Sequence, residues 1–262
     1  MDLFVFHRNR SLDLASIEGG AKGIVIDLET RGKAHRQKGF DTQINEHGWQ
    51  DIAEVKQDKK TYVICRLNGI NEQTALEVNR ALDLGVDELL IPMVRKMSEV
   101  SDVLKLAENR AHVSVMIETL EAIEISRQLD QLPLARVYVG LNDLSICRQS
   151  HSIFSALADG TVESIRGKFR KIPFGFGGLT IPGYGSPLPV EHFLGEMTRL
   201  ECAFTFLRRS FFRDTANRNL KDELPIISSA VRSSVDRDTH AIKQGQLDLA
   251  VQLQSILMRA DG

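Results

Sequence analysis

The sequence predicts a (β/α)8 barrel, the TIM-barrel type of α/β fold, with extra helices at its C-terminal end. Eight short runs are mostly apolar and rich in β-branched residues, which is typical of parallel strands buried on both faces. Segments with helical spacing of apolar residues separate most of the runs, and this alternation indicates a parallel sheet with crossovers. A length of 262 residues suits one such domain.

The number of runs equals the number of strands that a closed barrel requires. In chain order they are Leu3–His7, Gly23–Glu29, Thr61–Asn68, Glu88–Val94, His112–Thr119, Arg136–Asp143, Ile172–Ile181 and Cys202–Arg209. A doubly wound open sheet is the alternative architecture, but it usually has fewer strands.

Helices are predicted between the runs. Asn71–Leu84 begins with an Asn cap and is followed by Gly85, which is typical of a helix end. Similar patterns cover Ser98–Glu108, Leu120–Leu132, Phe154–Phe169 and Val190–Leu200.

The C-terminal part is longer than one closing helix needs. We expect residues 1–215 to form the barrel core and residues 216–262 to form a helical extension of the same domain, with two helices between Asn219 and Gly262. A helix beyond the eight of the barrel often packs against a neighbouring subunit, so we expect a homo-oligomer.

Composition argues against several classes of partner. A formal net charge of −2, with interspersed charges, does not favour binding to nucleic acid. No apolar run approaches the roughly 18 residues of a membrane-spanning helix, and the N-terminus does not read as a secretory signal, so we expect no membrane contact. Three widely spaced cysteines predict a reducing, cytoplasmic location.

Charged residues lie at the ends of several predicted strands. Asp27 and Glu29 end the second run and share one face, Arg66 lies near the end of the third, Glu118 ends the fifth, and Asp143 ends the sixth. In a barrel the carboxyl ends of the strands face the active-site mouth. The sequence therefore predicts that these side chains meet there.

Four carboxylates beside one arginine need a counter-charge, and a divalent cation would supply it. Mg²⁺ prefers oxygen ligands and usually takes one or two carboxylates, so we predict that Glu118 and Asp143 hold Mg²⁺, with Mn²⁺ as an alternative occupant. Arg66 would stabilise a developing oxyanion. Asp27 or Glu29 would position Arg66 or handle a proton.

Simpler roles remain open for the same residues. Asp143 could cap the following helix, and Glu118 could pair with a lysine or arginine without metal. Asp27 or Glu29 could serve only to orient Arg66.

Motifs along most of the chain resemble one enzyme family. They are Leu3–Phe6, Gly20–Glu29, Arg66–Gly69, Ile91–Val94, Ile117–Thr119 and Gly140–Ser145. Together they resemble the HpcH/HpaI aldolase and citrate lyase β-subunit family over residues 3–213. The resemblance implies a metal-dependent carbon–carbon lyase or aldolase that acts through an enolate.

The resemblance also assigns roles to residues. It implies that Glu118 and Asp143 bind magnesium and that Arg66 binds the substrate. It implies that backbone amides around Leu141, Asn142 and Asp143 bind the substrate carboxylate. The expected substrate is a small carboxylated oxo acid or an acyl-coenzyme A thioester.

The sequence departs from the family pattern in ways that bear on function. Thr30 stands where the aldolase branch has a catalytic histidine, so the citrate lyase β-like branch is favoured. Lys33 and Arg36 lie where that branch has its Lys and Ala-Arg segment, and His35 is close to them. Alternatives are a condensing member of the family in a biosynthetic pathway and a non-catalytic barrel subunit.

Two further features lie at the predicted mouth. Arg208 and Arg209 end the eighth run, where they could meet an extra carboxylate or phosphate or could be solvated. The glycine-rich stretch from Phe174 to Gly185 is interpreted as a flexible loop at the mouth, with phosphate binding as the alternative.

Overall fold

The computed structural model describes residues 1–30, 47–150, 152–208 and 210–260. Its strands are parallel and form one sheet in the order β7-β6-β5-β4-β3-β2-β1-β9-β8. Their bounds are β1 Asp2–Phe6, β2 Gly23–Asp27, β3 Val63–Arg66, β4 Glu88–Ile91, β5 His112–Ile117, β6 Val137–Val139, β7 Phe174–Phe176, β8 Gly178–Leu179 and β9 Phe204–Leu207. The predicted TIM-barrel fold is confirmed.

The barrel closes through a sharp corner in the seventh predicted strand. The run Ile172–Ile181 is not one strand, because Gly177 adopts a positive φ of 58° and divides it into β7 and β8. Before the corner β7 pairs with β6, and after it β8 pairs with β9. At the corner the backbone changes its pairing partner from β6 to β9, and this closes the barrel.

The barrel interior is filled mainly by aromatic and aliphatic side chains. Tyr138 stacks on Phe206 with 4.3 Å between ring centroids, and Phe4 meets Phe204 edge to face. This inner cluster consists of Phe4, Val25, Ile64, Leu90, Met116, Tyr138, Phe204 and Phe206. The interior is thus a packed core rather than a pore.

A buried polar network closes the amino-terminal end of this interior. Glu88 accepts hydrogen bonds from Arg136 Nε at 2.8 and 3.0 Å and from the Tyr62 hydroxyl at 2.8 Å. The Arg136 guanidinium also lies 4.8 Å from the centroid of the Phe4 ring. These partners satisfy the buried charge of this amino-terminal end, the floor of the barrel.

Helices surround the sheet and bury a second, larger apolar layer against its outer face. In the described residues they are α1 Arg10–Glu18, α2 Trp49–Val55, α3 Thr74–Asp83, α4 Met97–Ala107, α5 Leu120–Glu124, α6 Ser126–Leu129, α7 Leu141–Cys147, α8 Ser155–Ala158, α9 Thr161–Arg166, α10 Val190–Arg199, α11 Phe211–Asp214, α12 Leu220–Val235 and α13 Thr239–Ala260. None of them combines the length and the apolarity that crossing a membrane requires.

Several elements are shorter than predicted. The segment Phe154–Phe169 forms two short helices, because Gly160 has a φ of 77° and interrupts the helical backbone. The run Arg136–Asp143 ends as a strand at Val139, and Leu141 already begins α7. The predicted ligand Asp143 consequently lies in the first turn of a helix rather than in a strand.

The C-terminal extension forms the two expected helices and packs on the barrel. Leu249 and Leu253 of α13 are buried in the same apolar cluster as the outer face of the sheet. Leu247 and Val251, on the same helix, are about two-thirds exposed at 62 % and 66 %. Contact of this exposed face with another subunit stays a prediction.

The corner at Gly177 supplies a test of barrel closure. A Cβ at this position would lie 2.0 Å from Cε1 of the buried Phe193, so Gly177→Ala adds overlap to an unfavourable φ. We expect a loss of about 2–5 kcal/mol in the free energy of unfolding, measured by urea denaturation. Gly183→Ala is the control, since Gly183 has a φ of 80° but no atom within 4 Å of the added Cβ. Equal losses in the two variants would contradict the role of the corner.

Candidate active site

A buried arginine is fixed at the carboxyl end of β3. Arg66 pairs with Asp27 in the strand register, and its Nε and Nη2 donate to the two Asp27 oxygens at 2.8 and 2.6 Å. Glu29 Oε2 lies 3.6 Å from Nη1. Burial alone would lower the pKa of Arg66, but Asp27 and Glu29 outweigh it and raise the pKa. Arg66 is thus a permanent cation with a fixed orientation, and Asp27 is the residue that orients it.

The end of β2 is held in place by Asn68. Its side-chain oxygen accepts from the Thr30 amide at 3.0 Å, and its Nδ2 donates to Glu77 of α3 at 3.1 Å. These bonds connect the segment after Glu29 to the neighbouring strand end. In the segment Arg66–Gly69, Arg66 therefore faces the site and Asn68 fixes the backbone around it.

Glu118 follows β5 directly and is buried. One carboxylate oxygen, Oε1, accepts from the Met93 amide at 2.8 Å. The other, Oε2, is buried and has no hydrogen-bond partner within the described ranges. The pKa of Glu118 is raised to about 8, first by burial and then by repulsion from Asp143 and Glu29, against smaller opposing effects of Arg66 and the Met93 amide.

Asp143 approaches Glu118 because a glycine precedes it. Gly140 caps α7, and a Cβ there would lie 2.3 Å from Glu118 Oε2. Only glycine leaves space for that oxygen. Asp143, in the first turn of α7, is 5 % exposed. It is not the N-cap, so the capping alternative is not what the structure shows.

Donors lie beside the two carboxylates. The amides of Leu141, Asn142 and Asp143 belong to the first turn of α7, whose amides have no acceptor inside a helix. Asn142 Nδ2 is also buried, without a hydrogen-bond acceptor in the part of the chain described here. Such an orphaned donor points to an acceptor on a ligand.

These residues open into one cavity of about 580 Å³. Arg66, Glu118, Asn142 and Asp143 line one part of it. Aromatic rings form much of the remaining wall, and the other lining residues follow β8 and β9. They include Phe6, Tyr138, Phe193, Phe206, Tyr184, Gly185, Arg208 and Ser210.

The donor set fits a hard divalent cation. Among residues 1–30, 47–150, 152–208 and 210–260 no group of three or more His, Cys, Asp or Glu side chains is arranged to hold a metal ion. Glu118 and Asp143 therefore offer two carboxylates, the number that Mg²⁺ often takes, with its other positions left to water and substrate. The unsatisfied Glu118 Oε2 is consistent with such an occupant.

The structure brings together all the predicted site residues that it describes. Arg66, Asp27 and Glu29 are in contact, and Leu141, Asn142, Asp143 and Glu118 share the cavity with Arg66. Lys33, His35, Arg36 and Arg209 lie outside the described residues. The glycine-rich stretch lies at the mouth as expected, since Gly177, Gly178 and Gly185 line the cavity, but its interpretation as a loop is wrong for the first part, which forms β7 and β8.

Sequence reasoning missed two histidines behind the site. The Asp27 amide donates to His47 Nδ1 at 2.9 Å, so His47 carries its proton on Nε2 and donates it to the His7 carbonyl at 3.0 Å. His7 Nδ1 lies 2.7 Å from Asp13, and its Nε2 lies 3.7 Å from Asp51. The available signal was the place of His7 at the end of the first predicted strand.

Comparison with solved structures finds this fold in several enzymes. An HpcH/HpaI aldolase/citrate lyase family protein from Burkholderia cenocepacia J2315 has a TM-score of 0.58 at 11 % identity, over 88 % of this chain and 93 % of that one. A citrate lyase from Burkholderia xenovorans LB400 has a TM-score of 0.60 at 12 % identity, over 97 % and 82 %. The 3-hexulose-6-phosphate synthase from Salmonella typhimurium has 0.61 at 12 %, over 89 % and 100 %.

These similarities support the resemblance at the level of the fold. No family model and no curated protein matches the sequence. The solved structures include proteins of the family that the motifs resemble. At identities of 11–12 % they show the fold alone, so the chemistry must be argued from the site.

The two histidines predict opposite dependences of stability on pH. Burial and the proximity of His7 lower the pKa of His47 below 6.5, so its contribution is present above pH 6.5 and is lost as the pH falls through its folded value. Burial opposes a charged His7, but Asp13 and Asp51 raise its pKa above 6.5, so its contribution is present below pH 6.5 and is lost on raising the pH.

We therefore expect His47→Gln to flatten the acid side of the stability profile and His7→Gln to flatten the alkaline side. Urea denaturation between about pH 5 and pH 9 measures both, since this range brackets the titration of histidine. His240→Gln, at an exposed position of α13, is the control. The assignment is wrong if His47→Gln keeps the slope of the parent below pH 6.5.

Proposed function

We propose that the protein is a magnesium-dependent carbon–carbon lyase that acts through an enolate on a small oxo acid or an acyl-coenzyme A thioester. The observation that carries the proposal is the buried Glu118 carboxylate, whose Oε2 has no partner in the described residues and whose pKa is raised to about 8 beside Asp143. A protein without a cation site gains nothing from this arrangement, because two buried carboxylates repel each other.

In this proposal Arg66 stabilises the negatively charged oxygen of the enolate. Asp27 holds two of its nitrogens, so the guanidinium has little freedom to reorient as charge develops on the substrate oxygen. The carboxylate of the substrate would bind the first-turn amides of α7 and Asn142 Nδ2. Mg²⁺ held by Glu118 and Asp143 would supply Lewis acidity toward the carbonyl.

Of the two predicted candidates for proton transfer, Asp27 and Glu29, we assign this role to Glu29. Both Asp27 oxygens accept from Arg66, whereas Glu29 lies 3.6 Å from Nη1. His47 is not a substitute for the histidine that Thr30 replaces, because both of its ring nitrogens are hydrogen-bonded to backbone groups. The absence of a histidine at position 30, where the sequence has Thr30, favours the citrate lyase β-like branch of the family.

The direction of the reaction is the open alternative within this proposal. The same enolate chemistry serves a condensing enzyme, because enolate formation is common to cleavage and synthesis. A non-catalytic barrel subunit is less favoured, since it would keep the costly Glu118 and Asp143 pair without using it.

Metal binding is the first test. Glu118→Gln and Asp143→Asn should each abolish Mg²⁺ binding in titration calorimetry, with thermal unfolding still cooperative, because each removes one of two anionic ligands.

In the parent protein the apparent Mg²⁺ affinity should rise by about tenfold per pH unit below pH 8, since the metal displaces the Glu118 proton. Glu121→Gln, an exposed neighbour, is the control. Undiminished Mg²⁺ binding by Glu118→Gln would refute the ligand assignment.

Enolate formation is the second test, and it needs no knowledge of the full substrate. With Mg²⁺ the protein should exchange the methyl protons of pyruvate for deuterium in D2O, followed by proton NMR. Arg66→Lys should slow the exchange by roughly 10²–10³-fold, because lysine cannot keep the bidentate contact or the fixed direction of the donors. Glu121→Gln should exchange at the parent rate. Exchange that is independent of Mg²⁺ or equal to that in buffer would overturn the proposal for an oxo-acid substrate.

A further inference from the structure

The cavity is larger than the proposed chemistry at Glu118 requires. Its volume of about 580 Å³ lies in the range, about 300–1,000 Å³, of cavities that hold ligands much larger than a three-carbon oxo acid. The residues assigned to the metal and the enolate are Arg66, at the end of β3, and Glu118 and Asp143, which follow β5 and β6. The opposite wall follows β8 and β9 and contains Arg208 and Gly185. A substrate that fills the cavity therefore has a second part that reaches this wall.

Arg208 is held in that wall without an anionic partner. Its Nε donates to the Gly178 carbonyl at 3.3 Å, and its guanidinium lies 5.7 Å from the centroid of the Phe193 ring. Within the described part of the chain it makes no ion pair. Asp214 is the acidic side chain that raises the pKa of Arg208. Its Oδ2 already accepts hydrogen bonds from Thr180 at 2.6 Å and from Ser210 at 2.8 Å.

The surroundings of Arg208 suit an anion. Burial lowers the pKa of Arg208, and Asp214 offsets this only in part, so the guanidinium is a partly desolvated cation. Gly185, with a φ of 110°, leaves space beside it, because a Cβ there would lie 3.2 Å from Arg208 Nη1. A half-buried charge of this kind gains stability when a ligand of opposite sign pairs with it.

On the basis of the function proposed above, we propose that Arg208 binds a second acidic group of the substrate, a carboxylate or a phosphate, across the cavity from Glu118. The fork of the guanidinium matches either group in a two-point contact. Phe6, Tyr138 and Phe206 line the cavity as well and would pack against the carbon chain of the substrate. The substrate class is then a 2-oxo acid, or its acyl equivalent, with an additional anion at the far end.

Calorimetry with three oxo acids tests this subsite. Pyruvate, 2-oxoglutarate and phosphonopyruvate are titrated into the Mg²⁺-loaded protein. The two acids with a second anionic group should bind about tenfold more tightly than pyruvate or better, as expected for a charge-assisted hydrogen bond. The stronger of the two identifies a carboxylate or a phosphate as the natural group.

Variants assign the preference to Arg208. Arg208→Gln should leave the affinity for pyruvate unchanged and bring the other two acids to within about twofold of it, whereas Arg208→Lys should keep part of the preference. Arg95→Gln removes the same charge after β4, outside the cavity, and should behave like the parent. Equal affinities in the parent, or an equal loss for all three acids in Arg208→Gln, would overturn the subsite.

A metal-free measurement separates the subsite from the proposed function. Inorganic phosphate should shift the Nε–H signal of Arg208 in the spectrum of ¹⁵N-labelled arginine, a signal identified by its loss in Arg208→Gln. If this shift occurs while pyruvate does not bind with Mg²⁺, the subsite stands and the lyase proposal fails. If pyruvate binds with Mg²⁺ but phosphate causes no shift and no preference exists, the subsite fails alone.

Discussion

Charge balance at the carboxyl ends of β2, β3, β5 and β6 is the constraint on which the site depends. Asp27, Glu29, Glu118 and Asp143 are all at least 95 % buried, and Arg66 is the cation among them. Asp27 and Arg66 neutralise each other through two hydrogen bonds. The excess negative charge falls on Glu118, and the molecule accommodates it by raising the pKa of that carboxyl to about 8. A proton or a metal ion must therefore occupy this place, and the choice between them depends on pH.

The fold produces this concentration of charge by register and by small residues. Parallel strands of a barrel end on one rim, so Asp27 and Arg66 are register partners although they are distant in sequence. Gly140 then allows α7 to begin directly against Glu118, which brings the positive end of a short helix and Asp143 to the same carboxylate. The network of Glu88 and Arg136 at the opposite end of the barrel is fully paired. This contrast between the paired charges at one end of the barrel and the unsatisfied Glu118 at the other supports the proposed function of the latter.

The sequence predicts the rim well and the connections poorly, for physical reasons. Arg66, Glu118 and Asp143 were predictable because strand ends are visible as the points where apolar runs become polar. The corner at Gly177 was not, because a buried run such as Ile172–Ile181 has no alternation that would reveal a change of partner. His47 was missed because its role consists of two backbone contacts, to Asp27 and His7, at sequence separations of 20 and 40 residues. No local pattern encodes such contacts.

The two ends of the cavity carry opposite imbalances of charge, and this relation constrains the ligand. One end has a carboxylate with an unsatisfied oxygen, Glu118, and the other has a partly desolvated guanidinium, Arg208. Both line the same cavity as the stacked rings of Tyr138 and Phe206, and no ion pair joins them within the described residues. Each imbalance is costly where burial weakens the screening of charge. A single anionic substrate that binds with a divalent cation would correct both at once: the cation neutralises the rim at Glu118 and Asp143, and the far acidic group neutralises Arg208. Affinity for the complete complex should then exceed what either end provides alone, because a long diacid contacts both ends of the cavity and a short oxo acid only one.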